Sequence, residues 1–132
     1  MSLYLDTSAL AKLVVAEDES EALREWLAAR PDSPRITNVV GVVELHRFAA
    51  RVSQAAVGAA VQVSNRIDKL ELTPASLARA AMLPPPAAPT LDAMHIASAS
   101  ELTDLEALVT YDVRMISAAT GYGLPVASPG QR

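Results

Sequence analysis

The sequence predicts an α/β protein, built around a parallel sheet that is covered by helices on both faces. Short apolar stretches of the kind found in buried strands alternate along the chain with longer segments of helical periodicity, and this alternation is typical of parallel sheets. Two of these strands run directly into polar residues that include an acid. With 132 residues and no cysteine, the chain is expected to form one domain, residues 1–132, whose core needs no disulfide.

The first strand is predicted in the opening stretch from Ser2 to Leu10, SLYLDTSAL, where three apolar residues run into Asp6 and a helical pattern follows. A helix is predicted over 18–30, because leucine and tryptophan recur there at helical spacing and Pro31 ends the pattern. Thr90 is expected to cap a later helix. The other predicted helices cover 38 to about 52, 54–68, 75–83, 90–102 and 113–120, and the other predicted strands cover 35–37, 70–73, 107–111 and 125–127.

The composition narrows the possible chemistry. Because cysteine is absent and only two histidines are present, a metal site would be built from carboxylates, which suit Mg²⁺ or Mn²⁺ better than zinc. The net charge of −4 argues against non-specific nucleic-acid binding through a basic surface, although acids around a divalent cation can still attract phosphate. The apolar runs are too short to span a bilayer, so a cytoplasmic protein without membrane attachment is expected.

Four acids stand at positions that favour chemistry. Asp6 and Asp112 follow predicted strands, and ligands of open parallel sheets bind just beyond the carboxyl ends of the strands. Glu44 and Asp92 lie on or beside the apolar faces of their helices, where an unpaired charge is costly. Each acid alone also has a structural interpretation. Asp6 can cap a helix. Asp92 can lie in the first turn of a helix, where the helix dipole favours a negative charge. Glu44 can reach water or pair with an arginine at the border of its apolar stripe.

Taken together, the four acids are expected to face one edge of the sheet, where their mutual repulsion would be severe unless a cation were bound. His95 lies one turn from Asp92 and is expected either to orient that acid or simply to pack, whereas His46 is expected at the surface. A divalent ion at this edge would relieve that repulsion and could attract a phosphate group.

Four stretches carry these acids, namely LDTSALAKL around Asp6, VVELHR around Glu44, LDAMHIASA around Asp92 and LVTYDVRM around Asp112, and GLPVASPG follows them. Taken as a set, these stretches resemble the PIN-domain family, and in particular the short VapC-type toxin ribonucleases of bacterial toxin–antitoxin modules. Their order and spacing cover essentially the whole chain. The resemblance implies a PIN-like three-layer α/β/α sandwich with about five parallel strands in the order 3-2-1-4-5.

The resemblance also implies an activity, that of a divalent-metal-dependent endoribonuclease toxin that uses Mg²⁺, with Mn²⁺ as an alternative. Glu44 is expected to orient or deprotonate the attacking water. Arg114 and Ile116 stand where some family members carry a further acid, which argues against a second tightly held ion. The implied catalytic residues are Asp6, Glu44, Asp92 and Asp112, of which Asp6, Asp92 and Asp112 would hold the metal, with hydroxyl support from Ser8 and Thr110.

The partners implied by the resemblance are an RNA substrate and a VapB-like antitoxin, with a homodimer that becomes a heterotetramer or larger assembly on antitoxin binding. Surplus apolar surface on helix 54–68, together with Leu10, Leu13 and Val14, gives a physical reason to expect such contacts. The alternative function is a non-catalytic PIN-like binding module. A phosphotransfer receiver is disfavoured because no lysine follows Lys69, and a haloacid-type phosphatase because Ser8 replaces its second acid.

Overall fold

The computed structural model describes residues 1–131, in which strands and helices alternate as a parallel sheet requires. The strands are β1 (Ser2–Leu5), β2 (Arg35–Asn38), β3 (Asp68–Leu70), β4 (Leu105–Val109) and β5 (Val126–Ala127). The helices are α1 (Thr7–Val14), α2 (Ser20–Ala28), α3 (Val39–Val52), α4 (Gln54–Asn65), α5 (Pro74–Ala81), α6 (Thr90–Ser100) and α7 (Val113–Gly121).

The five strands form one parallel sheet in the order β3-β2-β1-β4-β5, which confirms the predicted order. β1 is central, since Tyr4 is in register with Ile36 of β2 and with Leu108 of β4. The chain winds outward from β1 in both directions, so the topological switch point lies between β1 and β4. Ligands of open parallel sheets bind beyond the carboxyl ends of the strands at such a point.

Alternate side chains of β1 enter two separate hydrophobic cores, one on each face of the sheet. Leu3 and Leu5 pack in the first core with residues of α1, α2, α3 and α4. Tyr4 packs in the second core with residues of α5, α6 and α7. Each fully buried leucine contributes about 1.5–3 kcal/mol through its removal from water. The result is the predicted three-layer α/β/α sandwich, with α3 and α6 on opposite sides of the sheet.

The segment between α4 and β3 differs from the sequence prediction. The predicted helix 54–68 ends at Asn65, and the predicted strand 70–73 lies earlier, at Asp68–Leu70. The backbone N–H of Arg66 donates to the carbonyl of Val63 and closes the helix, after which Ile67 is buried in the first core. Parallel pairing with β2 then fixes the strand, so tertiary contacts outweigh the helical periodicity of the sequence.

Three smaller predictions also change. Thr90 lies inside α6 and does not cap it, because the preceding Pro89 occupies the cap position without a side-chain hydrogen bond. β4 begins two residues earlier than predicted, so Thr110 lies beyond its end. Leu10 is fully buried and is not available to a partner, while Leu13 and Val14 are partly buried against the first core. Within residues 1–131, every helix is too short or too polar to cross a membrane.

Candidate active site

Asp6 follows β1 directly and caps α1. Its Oδ1 accepts hydrogen bonds from the backbone N–H of Ala9 (3.1 Å) and the hydroxyl of Ser8 (2.7 Å), and its Oδ2 accepts the hydroxyl of Thr110 (2.5 Å). Burial raises the pKa of this carboxyl above its ordinary value, although all three donors oppose the change. The helix cap expected from the sequence is therefore present, and the capping carboxylate lies at the switch point of the sheet.

Ser8 and Thr110 tie the ends of β1 and β4 together around Asp6. Their hydroxyl oxygens lie 3.3 Å apart. Each oxygen also accepts a backbone N–H from the segment after β4, Ser8 from Tyr111 (2.9 Å) and Thr110 from Asp112 (3.2 Å). The structure thus brings both predicted supporting hydroxyls to Asp6, where they hold its carboxylate in place.

Asp112 lies beyond β4 and caps α7. Its Oδ1 accepts the backbone N–H groups of Arg114 (2.9 Å) and Met115 (3.4 Å), and the helix N-terminus favours its negative charge. The side chain is half-buried at the same edge of the sheet as Asp6. Asp112, like Asp6, therefore combines a cap with a carboxylate at the candidate site.

Asp92 lies in the first turn of α6 and is half-buried. Burial, followed by the negative charges of Asp112, Asp6 and Glu44, raises the pKa of this carboxyl to about 6, against a partial opposing effect of His95. The three neighbouring carboxylates are close enough to act on Asp92 through their charge. The structure therefore gathers all four sequence-predicted acids at one edge of the sheet, and Asp92 is the acid on which their repulsion falls.

Glu44 lies in α3, and a single one of its oxygens has two donors. Oε1 accepts the hydroxyl of Thr7 (2.7 Å) and a ring nitrogen of His95, Nε2 (2.7 Å), with 24% of the side chain exposed. Burial would raise the pKa of Glu44, but the hydrogen bonds from His95 and Thr7 outweigh it and leave the pKa below its usual value. Glu44 is thus ionised. The partners of its Oε1 are Thr7 and His95, and not the water or arginine expected from the sequence.

His95 is buried and orients Glu44, not Asp92 as the sequence suggested. Its Nε2 contacts Glu44 and its Nδ1 lies 2.7 Å from the hydroxyl of Tyr4, so both ring nitrogens are occupied. Sequence reasoning missed Tyr4 and Thr7 as neighbours of the site. The signal was the alternation of β1, which places Tyr4 on the same face as Asp6 two residues later. His46 is half-buried and bonds its own helix at the carbonyl of Val42.

The donor set fits a hard divalent cation that keeps much of its water. Within residues 1–131, no three carboxylate or imidazole side chains form a ready-made cluster around one ion position. Mg²⁺ requires no such cage, because it retains several waters and uses one or two carboxylates directly. Asp92, Asp112 and Asp6, which act on one another through their charges, supply carboxylate oxygens that can bind such an ion. The absence of cysteine excludes a thiolate site.

The raised pKa of Asp92 predicts a pH dependence for the metal-free protein. The Asp92 carboxyl has a pKa of about 6 in the folded protein, against an ordinary value of 3.8. Between these two pH values it holds a proton in the folded state but not in the unfolded state. The contribution of the protonated carboxyl to stability is therefore present at low pH and lost as the pH rises through 6. The Asp92→Asn variant should therefore gain stability relative to wild type between pH 4 and pH 7, by about 1 kcal/mol after allowance for partial exposure. Urea unfolding in EDTA at both pH values measures this difference, and a pH-independent gap would contradict it.

The fold and the site define a class of protein, namely three-layer α/β/α proteins that gather carboxylates at the carboxyl edge of a parallel sheet. The PIN domain model matches residues 3–121, and the chain belongs to the PIN-domain family. The chain is 42% identical to Ribonuclease VapC35 of Mycobacterium tuberculosis, over 98% of each chain. It is 38% identical to Ribonuclease VapC47 of the same species, over 97% of each chain.

A solved structure supports the same fold. The crystal structure of Mycobacterium tuberculosis VapC20, described as a Sarcin-Ricin loop cleaving toxin, matches with a TM-score of 0.74. The match covers 97% of this chain and all of the VapC20 chain, at 18% identity. At that identity the likeness concerns the architecture alone.

Proposed function

We propose that this protein is a Mg²⁺-dependent endoribonuclease that acts as the toxin of a toxin–antitoxin system in the cytoplasm, with residues 1–132 working as one domain. Mn²⁺ is an alternative ion. The observation that carries the proposal is the set of four acids at the switch point, in a chain that is similar over nearly its whole length to proteins named ribonucleases. A non-catalytic binding module would have no use for four carboxylates that repel one another at one edge of the sheet.

In this proposal, Asp6 and Asp92 would hold the ion directly, and Asp112 would hold it directly or through a bound water. The ion, when bound, would acidify a water and neutralise charge on the scissile phosphate. The hydroxyls of Ser8 and Thr110 fix the carboxylate of Asp6, so that it is positioned before the ion arrives.

Glu44 acts on the attacking water in the same proposal. Its Oε1 is taken by Thr7 and His95, which leaves Oε2 to orient the water or accept its proton. Because the pKa of Glu44 is lowered, the carboxylate is ionised at neutral pH and can accept a hydrogen bond that orients the water. The same shift makes it a weaker base, so orientation is the main part of its proposed role. The structure therefore supports a division between three acids that hold charge and one acid that acts on the attacking water.

Incubation of the purified protein with total RNA, with Mg²⁺ or with EDTA, followed by mapping of new 5′ ends, tests the proposal. Mg²⁺-dependent ends at defined positions are expected. In parallel, Mg²⁺ should raise the melting temperature of the protein, because an ion that binds only the folded state stabilises it. If the protein shows no cleavage and no Mg²⁺-induced rise in melting temperature, the binding-module alternative is favoured.

The partners proposed are the RNA substrate, a VapB-like antitoxin and a second copy of the chain. Exposed apolar side chains on α3 and α4, namely Val43, Val52 and Val61, provide surface for protein contacts. A groove of about 580 Å³ between the proline-rich connector 84–89 and α7 also begins beside Asp112, where Val113 and Arg114 line it. An antitoxin segment in this groove would end next to the acids.

Antitoxin and Mg²⁺ are expected to compete if the antitoxin inserts an arginine among the acids. A guanidinium would satisfy carboxylates with charge-assisted, bidentate hydrogen bonds and would occupy the place of the cation. Raising free Mg²⁺ from about 0.1 to 10 mM should then weaken antitoxin binding roughly tenfold, with the reciprocal effect on Mg²⁺ binding. Calorimetric titration at the two concentrations and matched ionic strength measures the change. Equal affinity would place the inhibitor outside the acid cluster.

A further inference from the structure

A chain of two hydrogen bonds, the first of them buried, reaches the half-buried Glu44 from the middle of the sheet. The Tyr4 hydroxyl lies 2.7 Å from Nδ1 of His95, and Nε2 of His95 lies 2.7 Å from Oε1 of Glu44. Tyr4 is fully buried and His95 is 2% exposed. Because Tyr4 belongs to β1, His95 to α6 and Glu44 to α3, the chain connects the sheet with helices on both of its faces.

The chemistry at the two ends fixes the direction of the protons. The Glu44 carboxylate can only accept, so Nε2 of His95 carries the proton between them. In the neutral ring Nδ1 is then the acceptor, and the hydroxyl of Tyr4 must donate to it. A tyrosine hydroxyl keeps its proton at neutral pH, so this donor is present. A single tautomer of His95 therefore satisfies both contacts.

We propose that His95 is a positioning residue for Glu44, and that the Tyr4 hydroxyl sets the orientation of the imidazole that performs this role. This inference deepens the proposed function and rests on it. His95 is not itself a catalytic residue, because both of its nitrogens are occupied and its ring is buried. Its function is to hold Oε1 of Glu44, together with Thr7, so that Oε2 meets the attacking water in one orientation.

Gly41 supplies an independent sign that α3 and His95 are fitted to each other. A Cβ atom at this position would lie 3.1 Å from Cε1 of His95 and 2.4 Å from Oγ1 of Thr37. Both distances are shorter than side chains normally tolerate, and the nearer atom belongs to a buried residue. The absence of a side chain at Gly41 thus lets the helix that carries Glu44 approach the imidazole closely.

The tautomer can be tested without RNA or metal. In ¹⁵N NMR spectra at about pH 8, His95 is expected as the Nε2–H tautomer. His46, whose Nδ1 donates to the Val42 carbonyl (2.9 Å), is expected as the Nδ1–H tautomer and serves as an internal reference. These are the two histidines of the chain, and the His46→Ala variant assigns the signals. An Nδ1–H tautomer at His95 would overturn the proposal, whether or not the protein cleaves RNA.

Kinetics then separate positioning from simple stabilisation. In His95→Ala, kcat should fall roughly 10- to 100-fold with KM within about twofold, as is typical when an outer partner of a site residue is removed. His95→Gln keeps an N–H donor near the Nε2 position and should recover most of the loss, which also provides a test should the alanine variant fold poorly. Ser76→Ala is the matched control, because it removes a buried hydroxyl contact to Glu101 at the far end of α6 and should leave kcat unchanged.

The decisive measurement is a double-mutant cycle with Glu44→Gln. If His95 acts through Glu44, adding His95→Ala to Glu44→Gln should lower kcat by less than about twofold further. An undiminished loss in that background would assign His95 a general structural role and overturn the inference, as would a folded His95→Ala variant with wild-type kcat. A wild-type protein that does not cleave RNA would instead refute the proposed function, while the NMR result would still report on the hydrogen-bond chain.

Discussion

Replacing Asp92 by asparagine is expected to lower Mg²⁺-dependent RNA cleavage by about 100- to 1,000-fold, the scale of losing one electrostatic group from a preorganised site. Burial, followed by the negative charges of Asp112, Asp6 and Glu44, raises the pKa of Asp92 to about 6, so this carboxylate is repelled by its neighbours. The same substitution removes a proposed ligand and relieves that repulsion. The metal-free variant should therefore be at least as stable as wild type at neutral pH, while its stabilisation by Mg²⁺ should largely disappear.

Two measurements on the same samples test this expectation. Cleavage of RNA is followed in saturating Mg²⁺, and melting temperatures are recorded with Mg²⁺ and with EDTA. Asp32→Asn provides the same change of charge at an exposed position after α2, and it should match wild type in both assays. A folded Asp92→Asn variant that cleaves RNA at the wild-type rate would refute the assignment of Asp92 to the metal site.

Asp6→Asn should also abolish cleavage, but it is a less selective test. The carboxylate of Asp6 accepts from Ser8, Ala9 and Thr110 on its two oxygens. An asparagine would place its NH₂ group against at least one of these donors. Either the Thr110 hydroxyl must turn to accept from the amide, or the Ala9 N–H loses its acceptor at a cost of about 1–3 kcal/mol. Loss of activity in this variant would therefore combine a missing ligand with a disturbed helix cap.

Most of the candidate site could be predicted from the sequence, because a parallel sheet brings the carboxyl ends of its strands to one edge. Asp6 and Asp112 could be located by the strands that precede them, and the alternation of β1 places Leu3 and Leu5 on one face and Tyr4 on the other. Apolar stripes identified the helices, but not which stripe residue is deeply buried. Leu10 is fully enclosed by neighbouring elements, which no local pattern reports.

The hydrogen-bond chain could not be predicted because its members are distant in sequence. Tyr4 and His95 are separated by 91 positions, and His95 and Glu44 by 51. Local periodicity placed His95 one turn from Asp92 and so suggested the wrong partner. His95 contacts Glu44 because α3 and α6 approach closely at Gly41. That approach depends on the packing of both helices against the sheet.

Replacing Glu44 by glutamine should lower kcat about 100-fold and leave most of the stabilisation by Mg²⁺ intact. Glutamine keeps a carbonyl oxygen that can accept from Thr7 and His95 in place of Oε1, so the surrounding geometry is retained. The amide that replaces Oε2 cannot take a proton from water, and a positioned general base is worth roughly 10²–10⁴-fold in rate.

The contrast with Asp92 makes the Glu44 variant informative. Both substitutions remove one negative charge from the same edge of the sheet, but only the aspartate is proposed to hold the ion. Glu21→Gln, at an exposed position in α2, controls for the change of residue type. If Glu44→Gln loses the Mg²⁺-induced rise in melting temperature as completely as Asp92→Asn does, Glu44 is a metal ligand and not the residue that handles the proton of the attacking water. If the rise survives and cleavage is lost, the two roles are separate, because binding the ion then proves insufficient for the reaction.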